Sequence, residues 1–413
     1  METELHLKAN DKRTMIEKEI TIGLFGFGCV GQGLYDVLNH SQSLQASIDK
    51  ICVKDVTKKR KIASSYFTYE KAEVLERDNL DVIVELIDDA DEAFRIVSAA
   101  LANGVNVVTA NKKMLAEHFM ELYELQEKYQ VALLYEGSAG GSIPIIRNLE
   151  EYYDNELLSS FRGILNGTCN YILSRMELES KNYDEILKDA QANGFAESNP
   201  WLDVGGFDTL YKTILLTVHS FGLVLKPEQV LNLGIQNITF DDIVYAREKG
   251  LRIKLLGTGY KSGNGFRVYV MPHFVEKTDE LYNVIYEYNG VEVEGAFSCK
   301  QTFVGKGAGS HPTGSAVLSD ISALTYNYKY GYKKLRKLSG NGKQVNGNFL
   351  NNDFSIKVYI RFKDKEELKD LVISDIEEEY RSAHTNYIIA NVNLSSLLSL
   401  KGNMESKVFV CAV

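Results

Sequence analysis

Five cysteines stand in the 413 residues, Cys29, Cys52, Cys169, Cys299 and Cys411, and no two form a CxxC pair or gather with the seven histidines. Such scattering offers neither a zinc site nor a disulfide scaffold, and reduced, buried thiols are the expectation. Long apolar runs are missing as well. The N-terminal METELHLKANDKRTMIEKE mixes both charge signs without an apolar core of signal-peptide length, and no later run is apolar enough to cross a bilayer. A cytoplasmic protein is expected. Positive charge is in deficit: 46 Lys and Arg against 56 Asp and Glu leave a formal charge of −10, which disfavours nucleic acid or an anionic membrane as the main partner. Small-molecule chemistry suits this balance better. At 413 residues, 45% of them hydrophobic, the chain can build two or three packed units.

What is present begins at Ile20. The run ITIGLFGFGCVGQGLYDVL passes from strand-like to glycine-punctuated to helical spacing. Gly26, Gly28 and Gly31 form a GxGxxG turn: the first glycine permits the bend, the second lets a pyrophosphate approach the backbone, and the third lets helix and strand pack closely. The pyrophosphate is expected on the positive end of a helix starting near Val30, with Phe27 and Cys29 alongside. Further strand-like runs at 51–53, 80–87, 105–110 and 131–135, separated by helix-like segments at 93–101 and 114–128, predict a parallel, doubly wound Rossmann sheet. At the end of the second strand, Asp55 would suit a free ribose 2′-hydroxyl and Lys54 a 2′-phosphate. With Lys58, Lys59, Arg60 and Lys61 beside them, NADP(H) is preferred over NAD(H), although a solvated basic loop would read the same way.

The middle of the chain holds GFAESNPWLDVGGFDTLYK, where Glu197, Asp203, Asp208 and Lys212 stand among small, apolar and aromatic residues. Taken with TANKK, EGSAGGSIPII, GILNGTCNYIL and GKGAGSHPTGSAVLSD, in chain order, it resembles homoserine dehydrogenases from about Ile20 to Leu324. The resemblance implies interconversion of L-homoserine and L-aspartate 4-semialdehyde with a nicotinamide cofactor, on the route to threonine and methionine. It makes Lys212 the proton donor and acceptor, and sets Lys112 beside cofactor and substrate. Two ammonium groups in one desolvated cleft should depress each other's proton affinity. Asp208, four residues before Lys212, would hold that lysine from the same helical face. Glu197 and Asp203 then bind the substrate's ammonium and hydroxyl. Gly167 and Thr168, in the turn that follows Asn166, offer amides to its carboxylate, with a plain N-cap by Thr168 as the alternative.

Thr109 and Asn111, at the end of the fourth strand, and Gly307 and Gly309, where the chain returns to the nucleotide domain, complete the cofactor contacts. A monovalent cation such as sodium maps to Glu136, Ala139, Gly141 and Ile143, and the assembly implied is a homodimer. Two departures from the family pattern stand out: Asp88 and Asp89 replace two glycines near the cofactor path, and Phe195 replaces a tyrosine beside Glu197.

Runs between 243 and 304 alternate as antiparallel strands do and predict a mixed sheet that dimerises. Tyr330 and Lys334 read as YxxxK inside the basic run KYGYKKLRK, where a solvated helix or linker is expected rather than catalysis. GNGKQVNGN reads as a linker. FSIKVYIRF, the helix-like KEELKDLV, NYIIANVNL and SKVFVCAV then suggest a small α/β module, similar to an ACT domain in size and opening strand, with packing or dimerisation as its other role. The expected division is 1–19 extension, 20–140 nucleotide domain, 141–304 catalytic and dimerisation domain, 305–339 return segment and 340–413 C-terminal module. Two rival functions remain open: a dehydrogenase of another small amino-acid alcohol, and a cofactor sensor without turnover.

Overall fold

The computed structural model describes residues 19–55, 57–155, 157–263, 265–340, 354–382, 385–403 and 406–413, so residues 1–18 of the extension and most of the expected linker lie outside the described residues. The nucleotide half opens with β1 (Ile20–Phe25), α1 (Cys29–His40), β2 (Ala46–Cys52), β3 (Phe67–Thr68) and α2 (Ala72–Leu75). It continues with β4 (Val82–Glu85), α3 (Ala90–Ala102), β5 (Asn106–Thr109), α4 (Lys112–Tyr129) and β6 (Leu133–Leu134). Their order, β3-β2-β1-β4-β5-β6, is all parallel, with the direction of winding reversing between β1 and β4. Ligands bind at the carboxyl ends of strands on either side of such a reversal. The central strands β1, β4 and β5 are short, apolar and largely buried on both faces: every residue of β4 is buried, Glu85 included.

A short α5 (Ile145–Arg147) leads into β7 (Leu158–Ile164), α6 (Gly167–Glu179), α7 (Tyr183–Ala192), α8 (Trp201–Val204) and α9 (Phe207–Phe221). Then come β8 (Leu231–Asn232), α10 (Phe240–Glu248), β9 (Arg252–Ser262), β10 (Gly265–Val275), β11 (Tyr288–Gly295) and β12 (Cys299–Lys306). Helix α9 is buried from Asp208 to Phe221, so its two ionised residues are held in a desolvated layer beside the sheet. Gly206, at φ 81°, makes the left-handed turn that starts it.

The chain then returns through α11 (Ser310–Ala323), which lies against α1 so closely that a Cβ on Gly33 would stand 2.0 Å from the Ser310 carbonyl oxygen. Helix α12 (Lys333–Gly340) follows. The solvated reading of the 330–334 run is overturned. Tyr330 is fully buried, and the Lys334 ammonium donates to the His219 and Leu149 carbonyls at 2.6 and 3.0 Å. The Tyr135 hydroxyl lies 2.8 Å from His219 Nε2, whose Nδ1 meets Glu150 at 2.7 Å, so this aromatic cluster pins the far end of α9.

The C-terminal strands β13 (Ser355–Phe362), β14 (Ile373–Arg381), β15 (Asn386–Asn393) and β16 (Phe409–Ala412) do not form a sheet of their own. They extend the catalytic one, whose order is β12-β11-β7-β9-β10-β16-β13-β15-β14, with β8 beside β10. The sheet is mixed because β16 and β8 run parallel to β10 while the β9–β10 and β11–β12 hairpins are antiparallel. The expected helix in KEELKDLV is a single 3₁₀ turn, Lys365–Leu368. Asp364 and Glu367 do form a capping box there, but Leu368 and Leu371 drop into the core beneath the sheet and β14 begins directly afterwards. All five cysteines are free; Cys52, Cys169 and Cys411 are buried as expected, whereas Cys29 and Cys299 are exposed.

Candidate active site

A cleft of about 930 Å³ opens where the nucleotide sheet meets α6, the 194–197 loop and the strap from Lys306 to Thr313. Asp208 lies at its floor. One carboxylate oxygen meets Lys112 Nζ at 3.0 Å and the other meets Lys212 Nζ at 2.9 Å, so one aspartate bridges two ammonium groups from different domains. Lys212 also donates to the Leu165 carbonyl at 2.6 Å, and Asn166 Nδ2 donates to both Asp208 and Asp203, at 2.8 and 2.7 Å. Asn166 Oδ1 meanwhile accepts from Cys169 N at 2.8 Å and caps α6. The N-cap raised as an alternative role for Thr168 is made by Asn166, and the Thr168 hydroxyl donates to the Phe195 carbonyl at 2.8 Å. Phe195 stacks on Tyr171 at 4.3 Å.

Burial alone would raise the Asp208 carboxyl, but Lys112 and Lys212 together hold it well below the usual carboxylate range. Lys212 is shifted down, by burial first and by Lys112 as well, against the attraction of Asp208. Lys112 is shifted up, chiefly by Asp208, so the expected mutual depression of the two lysines holds for Lys212 only. The asymmetry follows from position: the Lys112 side chain is 37% exposed at the cleft wall, and that of Lys212 is 7% exposed. Asp203 is raised by burial and then by Asp208, a strain that a cation in the cleft would relieve. Glu197 lies on an exposed loop at the cleft's edge, outside the Lys–Asp–Lys cluster.

The cofactor residues divide between cleft and scaffold. Cys29, Val30, Lys112, Gly307 and Gly309 line the cleft. A Cβ on Gly26, whose φ is +92°, would lie 2.4 Å from the Leu86 carbonyl oxygen, and one on Gly31 would lie 2.5 Å from that of Gly26. A Cβ on Gly28 would meet nothing within 4 Å, so open space stands over the first turn of α1, where a pyrophosphate fits. Phe27 packs edge-on against Phe67 at 5.3 Å and Lys54 is exposed beyond it.

Thr109 is fully buried and Asn111 is 9% exposed, and the cleft is lined here by their neighbours Ala110 and Lys112. The two acids also separate. Asp88 lines the cleft, whereas Asp89 caps α3 by accepting from Glu92 N at 3.0 Å. In the 136–143 loop, the buried Glu136 carboxylate accepts from Ile146 N and Arg147 N, both at 2.9 Å, which leaves backbone carbonyls as the ligands for any cation there. The Ile143 carbonyl already accepts from Ile145 N at 2.8 Å. Among the described residues no group of three or more His, Cys, Asp or Glu could hold a metal ion.

The contrast between Gly26 and Gly28 is testable. Gly26→Ala should destabilise the fold by about 2–3 kcal/mol through backbone strain and the clash. Gly28→Ala should keep the melting temperature of the wild type yet weaken dinucleotide binding about tenfold or more. Thermal unfolding and a cofactor titration of both variants check this.

A doubly wound nucleotide sheet, a glycine turn with open space above it and a desolvated lysine–carboxylate cluster facing the same cleft define a nicotinamide-dependent oxidoreductase of a small polar substrate. Comparison with known proteins agrees. Residues 26–136 match the family model "Homoserine dehydrogenase, NAD binding domain" and residues 144–322 match "Homoserine dehydrogenase". The chain is 35% identical over 323 residues to the homoserine dehydrogenase of Bacillus subtilis, covering 76% of this chain and 75% of that one. To the enzyme of Neisseria gonorrhoeae it is 36% identical over 312 residues, covering 74% and 72%. The crystal structure of a homoserine dehydrogenase from Thiobacillus denitrificans matches with a TM-score of 0.79 at 27% identity, over 96% of this chain and 98% of that one. The chain belongs to the homoserine dehydrogenase family. Its reaction is the NAD(P)-dependent interconversion of L-homoserine and L-aspartate 4-semialdehyde in threonine and methionine biosynthesis.

Proposed function

We propose that Lys212 is the proton-transfer group, and that the bridge from Lys112 through Asp208 to Lys212 at 3.0 and 2.9 Å is the observation that carries this reading. In oxidation, neutral Lys212 takes the hydroxyl proton of homoserine as the carbon–oxygen double bond forms; in reduction, the ammonium returns it to the aldehyde oxygen. The bound nicotinamide ring supplies the hydride acceptor in one direction and the donor in the other. Lys112, beside cofactor and substrate, attracts the oxygen as it gains charge. Asp208 fixes both lysines. Glu197 and Asp203 receive the substrate ammonium and hydroxyl, and the first amides of α6, at Gly167 and Thr168, receive its carboxylate.

NADP(H) is the preferred cofactor, with NAD(H) also accepted. Lys54 is exposed at the end of β2, while Asp55 Oδ1 is occupied by Thr57, accepting from its amide at 2.8 Å and its hydroxyl at 2.6 Å. A monovalent cation such as sodium would be held on the 136–143 loop by the carbonyls of Glu136, Ala139, Gly141 and Ile143. The enzyme is a cytoplasmic homodimer; Phe297, 85% exposed at the tip of the β11–β12 hairpin, and Leu157, 45% exposed, are the kind of apolar surface a second copy covers. No helix of the described residues is long and apolar enough to cross a membrane. The C-terminal strands are read as an ACT-like unit from the size and opening strand of the segment.

Purified protein with L-homoserine should reduce NADP⁺ and NAD⁺, the former at lower KM, followed by the absorbance of reduced nicotinamide. Binding of either dinucleotide without homoserine-dependent reduction, and without turnover of the semialdehyde, would favour the sensing role instead.

A further inference from the structure

Glu85 ends β4 with its side chain fully buried, and the reaction as described makes no use of it. One carboxylate oxygen accepts from Ile87 N at 2.6 Å and the other from the Thr109 hydroxyl at 2.5 Å. The Thr109 oxygen accepts in turn from Asn111 N at 3.0 Å, and Asn111 Nδ2 donates back to the Ile87 carbonyl at 3.1 Å. These bonds close a ring across the ends of β4 and β5, and β4 is one of the two strands that flank the reversal point. Asn111 Oδ1 also accepts from Met114 N at 3.0 Å and caps α4, whose first residue is Lys112. On the other side, Ile87 and Asp88 form the cleft's rim. One buried carboxylate thus sets the direction of the lysine and of the rim opposite it.

We propose that Glu85 is a positioning residue of the reaction: its ionised carboxylate closes the ring that aims Lys112 at Asp208 and holds the Ile87–Asp88 rim against the cofactor. This rests on the reading of Lys112 as a residue of the reacting cleft.

The ring needs the charged form. A carboxylate accepts from both the amide and the hydroxyl, whereas a protonated acid turns its proton toward the Thr109 oxygen, which reverses that bond and leaves the buried Thr109 hydroxyl proton without this acceptor. Burial, with a smaller contribution from the neighbouring Asp88, pushes the Glu85 carboxyl up to about 7 against its bonds to Thr109 and Ile87. The charge that acts on it is Asp88, the group facing it from β5 is the neutral Thr109 hydroxyl, and Lys112 at the start of α4 is paired with Asp208. The ring is therefore complete above about pH 7 and loses its acceptor as pH falls through that value.

The test is Glu85→Gln, which keeps the size and one acceptor, with Thr109→Val, Thr109→Ser and Lys112→Ala beside it. Steady-state kinetics in both substrates are measured from pH 6 to pH 9, and folding is checked by thermal unfolding. Glu85→Gln and Thr109→Val should stay folded, raise the KM for cofactor and lower kcat together by about tenfold or more, and flatten the rise in cofactor affinity near pH 7. Thr109→Ser, which keeps the hydroxyl, should recover most of what Thr109→Val loses in both constants. A Glu85→Gln enzyme with wild-type constants, or one whose activity tracks only its folded fraction while the rise near pH 7 persists, overturns the proposal. Full activity in Lys112→Ala would instead overturn the reading of Lys112.

Discussion

Lys212→Ala lowers kcat for homoserine oxidation by about 10²–10⁴, the range that general acid–base catalysis supplies, while the KM for cofactor stays near its wild-type value. The expectation follows from where the amine sits. It is buried, bonded to Leu165 O at 2.6 Å and to Asp208 at 2.9 Å, and shifted down by burial and Lys112, so its neutral form is reached at lower pH than in an exposed lysine. Removing it leaves Asp208 paired with Lys112 at 3.0 Å, which limits the damage to the fold. Steady-state kinetics on protein shown folded by thermal unfolding make the check, and a kcat within threefold of wild type would take the proton role away from Lys212.

The second large effect belongs to Asp208→Asn. The substitution keeps shape but leaves two ammonium groups facing each other across a neutral amide, and it turns an amide nitrogen or oxygen toward Asn166, which now donates to that carboxylate at 2.8 Å. Because Asp208 is 8% exposed, breaking this bridge should cost about 3–5 kcal/mol of stability and lower kcat/KM by about 10²–10³. The pH dependence carries a definite sign. The folded carboxyl lies well below its unfolded value of about 4, so its contribution is complete above that value and is lost as pH falls toward the folded one. Denaturant midpoints of wild type and variant should therefore differ most at neutral pH and converge below about pH 4. A constant gap down to pH 3 would show that Asp208 is not held ionised by the two lysines.

Much of this site was legible in the sequence because its parts lie in contiguous motifs. The GxGxxG turn announces its own backbone, and Asp208 and Lys212 stand one helical turn apart, so that their pairing follows from spacing. What spacing hides is direction. Thr109 and Asn111 end the strand where cofactors bind, yet they face into the wall, because the buried Glu85, 24 residues earlier in the chain, claims the Thr109 hydroxyl. In LDVIVELI that glutamate reads only as a strand end. The two neighbouring aspartates look equivalent in sequence, but Asp89 falls at the helix start and is used as a cap, which leaves Asp88 alone in the cleft. The strand β14 was invisible for another reason: it is the sheet's last strand, so ISDIEEEYR carries charges at positions where an interior strand would be apolar. Tyr330 misled in the opposite direction, since lysines on either side made a buried ring look like part of a solvated run.

The central claim, that Lys212 carries the proton, is tested most directly by measuring kcat/KM against pH in both directions of the reaction, for wild type and Lys212→Ala. A group that must be neutral to oxidise homoserine and charged to reduce the semialdehyde gives oxidation that rises, and reduction that falls, through one apparent pKa below the ordinary lysine value of about 10.4. Both limbs should disappear in the variant. If they persist unchanged in Lys212→Ala, the proton passes through another group.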